Sequence, residues 1–127
     1  MAPSDVGILG VHEAVADYMA RRDEKCILTL CIAIEILLNK YWQVVLKRPG
    51  NDSLDKIVLM TPLVDESTRE CLKKLIVDRG HVAHGRVPHI VSKNQKFTME
   101  TYLAAGKRVL DKYLASIPPG ECQSLWR

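Results

Sequence analysis

An all-α fold, an antiparallel bundle of four to five helices, is what this sequence predicts, on three observations. Apolar residues, 47% of the chain, recur at three- and four-residue spacing in successive stretches. Leu, Ile, Val and Ala dominate them, with only two Trp, four Tyr and one Phe. Few Gly or Pro fall inside the stretches. No segment alternates with period two for long enough to read as a strand, and neither an internal repeat nor a low-complexity tract is present. At 127 residues the chain fits a single domain, 1–127, with an ordered core over about 4–117 and a loose C-terminal tail.

The elements follow in order. Ser4 or Asp5 is a plausible cap for a first helix in which Ile8, Val11, Val15, Tyr18 and Met19 share a stripe up to Arg21 and Arg22. Asp23 can cap a second, the most apolar, running to about residue 46. Residues 47–52, Lys-Arg-Pro-Gly-Asn-Asp, break it. Asp52 or Ser53 caps a short third helix over 54–60, which Thr61-Pro62 ends. Asp65 caps a fourth from Glu66 to about His84, with Gly85 as its stop. Residues 86–97, with Pro88, read as a loop. Thr98 caps the last helix, whose stripe is Met99, Tyr102, Leu103, Leu110, Tyr113 and Ile117, and Pro118-Pro119-Gly120 terminates it. Short connections imply mostly antiparallel neighbours.

The formal charge is +3 with a pI near 8.7, which permits a nucleic-acid partner without demanding one. Cys26, Cys31, Cys71 and Cys122 lack zinc-ribbon spacing and read as reduced core thiols. The N-terminus lacks a basic stretch followed by an apolar one, so a cytoplasmic or nuclear setting is expected. The longest apolar run, 26–38, is interrupted by Thr29 and Glu35 and reads as too short and too polar to span a membrane.

The informative residues interrupt apolar faces. On a helical wheel of the fourth helix, Arg79 falls amid Leu72, Leu75, Ile76, Val82 and Ala83. A buried guanidinium needs a partner or water, so Arg79 either meets a carboxylate or lines a cleft. The second helix offers Glu35, in a stripe with Asn39 and Gln43, interleaved with Leu28, Ile32 and Ile36. The opposite face carries Leu30, Ile34, Leu37, Tyr41 and Val45. The mixed face therefore reads as a second buried surface, either more core or a homodimer interface. Glu35 reads equally as a salt bridge that only orients helices. His81 and His84, three apart, share a side, and alone they read as exposed residues near a helix C-terminus. Arg79 and His84 stand about 140° and roughly 7.5 Å apart on an ideal helix. Gly80 costs a helix interior about 1 kcal/mol relative to Ala, which suggests close approach of a backbone or ligand.

The run Arg79-Gly80-His81-Val82-Ala83-His84-Gly85 resembles the signature of the HEPN superfamily, an Arg, four to six residues, then His, near the end of a helix in a small bundle. The stretch Ala33-Ile34-Glu35-Ile36-Leu37-Leu38 resembles the family helix whose acidic residue faces that motif. The resemblance implies a HEPN-like bundle forming a homodimer, with the two motifs facing each other. It implies a metal-independent endoribonuclease, with no cofactor, that leaves a 2′,3′-cyclic phosphate and a 5′-hydroxyl on single-stranded or structured RNA. His84 would be the general acid/base, Arg79 would hold the scissile phosphate, and Glu35 would orient one of them. Gly80 stands where the family often has Asn, with His81 offering polarity instead. Arg86 stands where one toxin branch has a modified Tyr. Such domains serve in stress response, defence and RNA processing.

Two other readings stand beside this one. A non-catalytic helical dimer could bind RNA, a nucleotide or a protein partner through the same cleft; in either case His81, Gly80, Asn39 and Arg86 would support the site or bind its substrate. A metal site could be built from His81, His84 and either His89 or a cysteine. Arg86 and the stretch Lys93-Asn94-Gln95-Lys96 could contact phosphates or simply face solvent.

Overall fold

The computed structural model describes residues 3–47, 53–85 and 98–116. Five helices fill them: α1 (Pro3–Met19), α2 (Asp23–Val44), α3 (Leu54–Met60), α4 (Glu66–Ala83) and α5 (Met99–Ser116). The fold is all-α, with no strand among the described residues. The expected loop 86–97 with Arg86 and His89, the phosphate-contact stretch, the tail with Cys122, and Ile117 lie outside the described residues.

Local chemistry explains most boundaries and corrects two. Asp65 caps α4, its carboxylate accepting the Thr68 N–H at 2.8 Å. Thr98 and Thr101 exchange backbone N–H to hydroxyl bonds of 2.7 and 3.3 Å at the start of α5. Thr61 is extended, as the residue before Pro62 must be. Gly85 at φ +69° takes the left-handed position that closes α4. However, α1 begins at Pro3, so Ser4 and Asp5 lie inside it; proline tolerates a first turn because its missing N–H would be unsatisfied there anyway. Asp23 lies in the first turn of α2 and does not cap it, where its charge favours the helix N-terminus.

Packing centres on α2, which meets each of the other four helices. Leu30, Ile34, Leu37 and Leu38 are fully buried, and burial of such a side chain is worth about 1.5–3 kcal/mol. A Cβ built at Gly10 would lie 2.8 Å from the Ala33 Cβ, and one at Gly106 would lie 2.7 Å from Leu30 Cδ1. These glycines let α1 and α5 close directly onto α2. The expected stripe of α1 is corrected accordingly. Ile8, Val11 and Ala14 are buried, whereas Val15 is 39% and Met19 77% exposed, because α1 meets α2 through its small residues.

Contacts along the helices give their directions. Gly10 opposes Ala33 while Asp17 reaches Thr29, so α1 and α2 are antiparallel. Cys71 meets Thr101, and Arg108 reaches back to Thr68, so α4 and α5 are antiparallel as well. Asp17, nearly buried, ties the α1–α2 turn through Arg22 (3.4 Å) and Lys25 (3.7 Å). The Arg69 guanidinium bonds the carbonyls of Val58, Thr61 (3.0 Å) and Val64 (3.4 Å), which fastens α3 to α4. By length and composition α2 alone among the described helices is long and apolar enough to cross a membrane. Half of its most apolar window is buried against the bundle, as a core helix requires.

The two glycine environments predict opposite outcomes in chemical denaturation. Gly10→Ala should lose about 1–2 kcal/mol, because overpacking outweighs the gain in helix propensity. Among the described residues nothing lies within 4 Å of a Cβ at Gly80, so Gly80→Ala should gain about 0.5–1 kcal/mol.

Candidate functional site at the C-terminal end of α4

The last turns of α4 gather most of the polar residues that the sequence singles out. Their anchor is Asp78, which has no exposed surface. A carboxylate so placed needs strong partners. Tyr102 of α5, also fully buried, donates its hydroxyl to Asp78 Oδ2 at 2.7 Å. Burial, and then the bond to Asp78, push the Tyr102 hydroxyl well above its ordinary range, so it stays a donor. On the other side, His81 Nδ1 lies 3.9 Å from Asp78 Oδ1, with 19% of the histidine side chain exposed.

Arg79 is the next residue round the helix. Its side chain is 31% exposed, and its guanidinium lies 3.4 Å from Asp55 of α3. The expected partner, Glu35, is not the one it pairs with. Glu35 nevertheless shares the neighbourhood, since both residues act on the buried Cys31 thiol. Burial pushes that thiol up to about 12, Arg79 opposes the shift, and Glu35, Asp55 and Asp78 add to it. Asn39, half-buried one turn along α2, donates its side-chain amide to the Glu35 carbonyl at 3.0 Å.

His84 follows the last helical residue of α4 and is exposed, its N–H bonding the Gly80 carbonyl at 3.1 Å. Among the described residues, no side-chain bond joins it to Arg79 or Glu35. Within one chain, the bonds formed therefore leave the two ends of the Arg-x4-His motif separate. Gly80, expected to mark a close approach, has no such neighbour among the described residues.

Two expected faces are also corrected. In α4, Leu72 and Leu75 are buried as expected, and Ile76 and Val82 pack partly against the core, but the buried stripe continues through Cys71 and Asp78, with Arg79 at its edge and Ala83 exposed. The mixed face of α2 is only partly covered by the described residues: Glu35, Ile36 and Asn39 are half-buried, but Ile32 is 60% and Leu28 37% exposed, and Gln43 is exposed. Val45, expected on the core face, is 37% exposed at the end of α2. No group of three metal-binding side chains occurs among the described residues.

Sequence reasoning missed Asp78, Tyr102 and Asp55 as partners. Asp78 had a usable signal, since it continues the series Cys71, Leu75, Asp78, Val82 at helical spacing. Asp55 had none, because its encounter with Arg79 depends on how α3 docks. Comparison with protein families, with curated proteins and with solved structures finds no match to this chain.

Cys26, Cys31 and Cys71 are free and buried, as expected of core thiols. Burial raises all three, with Cys26 and Cys31 pushed up to about 12. In the native protein at pH 8, Cys26 and Cys31 should resist a thiol reagent such as Ellman's, and should react in denaturant. Rapid native labelling of either would contradict the packing of α2.

Proposed function

We propose that the chain is a HEPN-type, metal-independent endoribonuclease that acts as a homodimer with the C-terminal end of α4 as its site. The observation that carries this reading is the accessibility of both motif residues at that end. His84 is exposed, and Arg79 is held by a partly exposed carboxylate. A pair of that kind is worth about 0–1 kcal/mol, so a phosphate can draw the guanidinium away from Asp55. Two N–H donors in a fork then hold the scissile phosphate and stabilise the charge that develops on it. A histidine, able to give or take a proton near neutrality, serves the 2′-hydroxyl or the leaving 5′-oxygen.

The separation of Arg79 from His84 within one chain supports a site completed by a second copy. Leu28 and Ile32 on the open face of α2 supply apolar surface for that copy, and Gly80 leaves room for close approach. Glu35 and Asn39 lie along the same helix and act as supports. A second reading, a non-catalytic dimer module that binds RNA, a nucleotide or a protein, is favoured by one observation: Arg79 is engaged by Asp55 rather than standing open.

Purified protein incubated with mixed RNA in excess chelator should yield fragments ending in 2′,3′-cyclic phosphate. His84→Ala and Arg79→Ala should each slow cleavage by about 10²-fold or more. Binding without cleavage would support the second reading, and loss of cleavage in chelator would contradict metal independence.

A further inference from the structure

Cleavage through a 2′,3′-cyclic phosphate moves two protons. The 2′-oxygen loses one as it attacks phosphorus, and the 5′-oxygen gains one as the bond from phosphorus to it breaks. One histidine cannot do both at once. We infer that His81, oriented by the buried Asp78, is the base of this reaction, and that His84 is the acid. The inference rests on the ribonuclease reading above and extends it.

The geometry of the α4–α5 contact carries the assignment. Asp78 is completely buried, and Tyr102 fixes it from α5 at 2.7 Å. Its Oδ1 faces His81 Nδ1 at 3.9 Å, with the imidazole one-fifth exposed. This is the order of a proton-transfer constellation: a hydroxyl fixes a carboxylate, the carboxylate faces one ring nitrogen, and the other nitrogen serves the substrate. At 3.9 Å the two atoms are within ion-pair distance but not hydrogen-bonded, and catalytic hydrogen bonds are often long in substrate-free sites and tighten when substrate binds. Asp78 is a positioning residue that sets the proton on Nδ1 and leaves Nε2 as the acceptor. His84, three residues on, projects from the same side of the helix. As an exposed group outside the buried stripe it is suited to deliver a proton to the leaving oxygen. Arg79 of the facing copy takes the phosphate. Among the described residues, the other charged and titratable groups gathered at this end are Cys31 and Glu35 on α2, Asp55 on α3 and Tyr102 on α5. The proton taken by His81 and the proton given by His84 balance, so the step needs no metal or co-reactant.

Two measurements test the assignment together. Long-range ¹H–¹⁵N spectra of the imidazoles, recorded on the intact protein above neutral pH, should show neutral His81 carrying its proton on Nδ1. Asp78→Asn should return it to the Nε2–H form. His81→Ala should slow RNA cleavage by about 10²–10⁴-fold and remove the acidic limb of the pH–rate profile. His12→Ala, on the exposed surface of α1, should leave the rate unchanged. Full cleavage by His81→Ala overturns the assignment and leaves the ribonuclease reading standing. An Nε2–H tautomer in the native protein overturns the role of Asp78, and the assignment with it. Absence of any cleavage by the unaltered protein overturns both readings.

Discussion

The hydrogen bond from Tyr102 to Asp78 is the constraint on which the C-terminal end of α4 depends. A carboxylate withdrawn completely from water is tolerable only where partners compensate its lost hydration. Tyr102 does so from α5, and the bond fixes the rotation of α4 about its own axis. Once Asp78 points inward, helix geometry dictates the rest. Arg79 falls about 100° round, at the rim facing α3, and His81 comes up beside Asp78 at the surface. His84 then emerges where the helix stops at Gly85. One buried bond therefore sets the positions of three polar side chains, Arg79, His81 and His84.

The same logic governs the bundle as a whole. A helix apolar nearly all round must be covered on most sides, and α2 is covered by all four of the others. Close cover requires small residues where the backbones meet, which Gly10, Ala14 and Ala33 supply toward α1 and Gly106 toward α5. The sector holding Leu28 and Ile32 is left open, and it borders Glu35 on the same helix. Core packing and the proposed site are thus neighbours on α2. A change in how α2 is held would be felt by Glu35 and by Cys31, which lies within reach of Arg79, Asp55 and Asp78.

The helices were legible because their signals are local. Apolar spacing, Asp65 and Thr98 as caps, Gly85 as a stop and Thr61-Pro62 as a break each act over four residues or fewer. The all-α class follows from them. Register was less legible. Large residues such as Val15 and Met19 advertise a core stripe, yet α1 packs through glycine and alanine, which carry little weight in a hydrophobic pattern. In the site, Arg79 stood out because a charge on an apolar face demands a partner. Which partner it takes was not readable, since Asp55 reaches it through the docking of α3, itself fixed by Arg69. Asp78 was hidden by the charge next to it, which drew attention to the rim of the face rather than to its centre.

The proposed site needs Arg79 from one copy and His84 from another, and that requirement can be measured directly. Arg79→Ala and His84→Ala chains, each inactive alone, are unfolded together, refolded in equal amounts and assayed on RNA. Random pairing makes half of the dimers mixed, each with one intact site of two, so the mixture should recover about a quarter of the unaltered rate. A mixture as inactive as its components would contradict a site shared between copies.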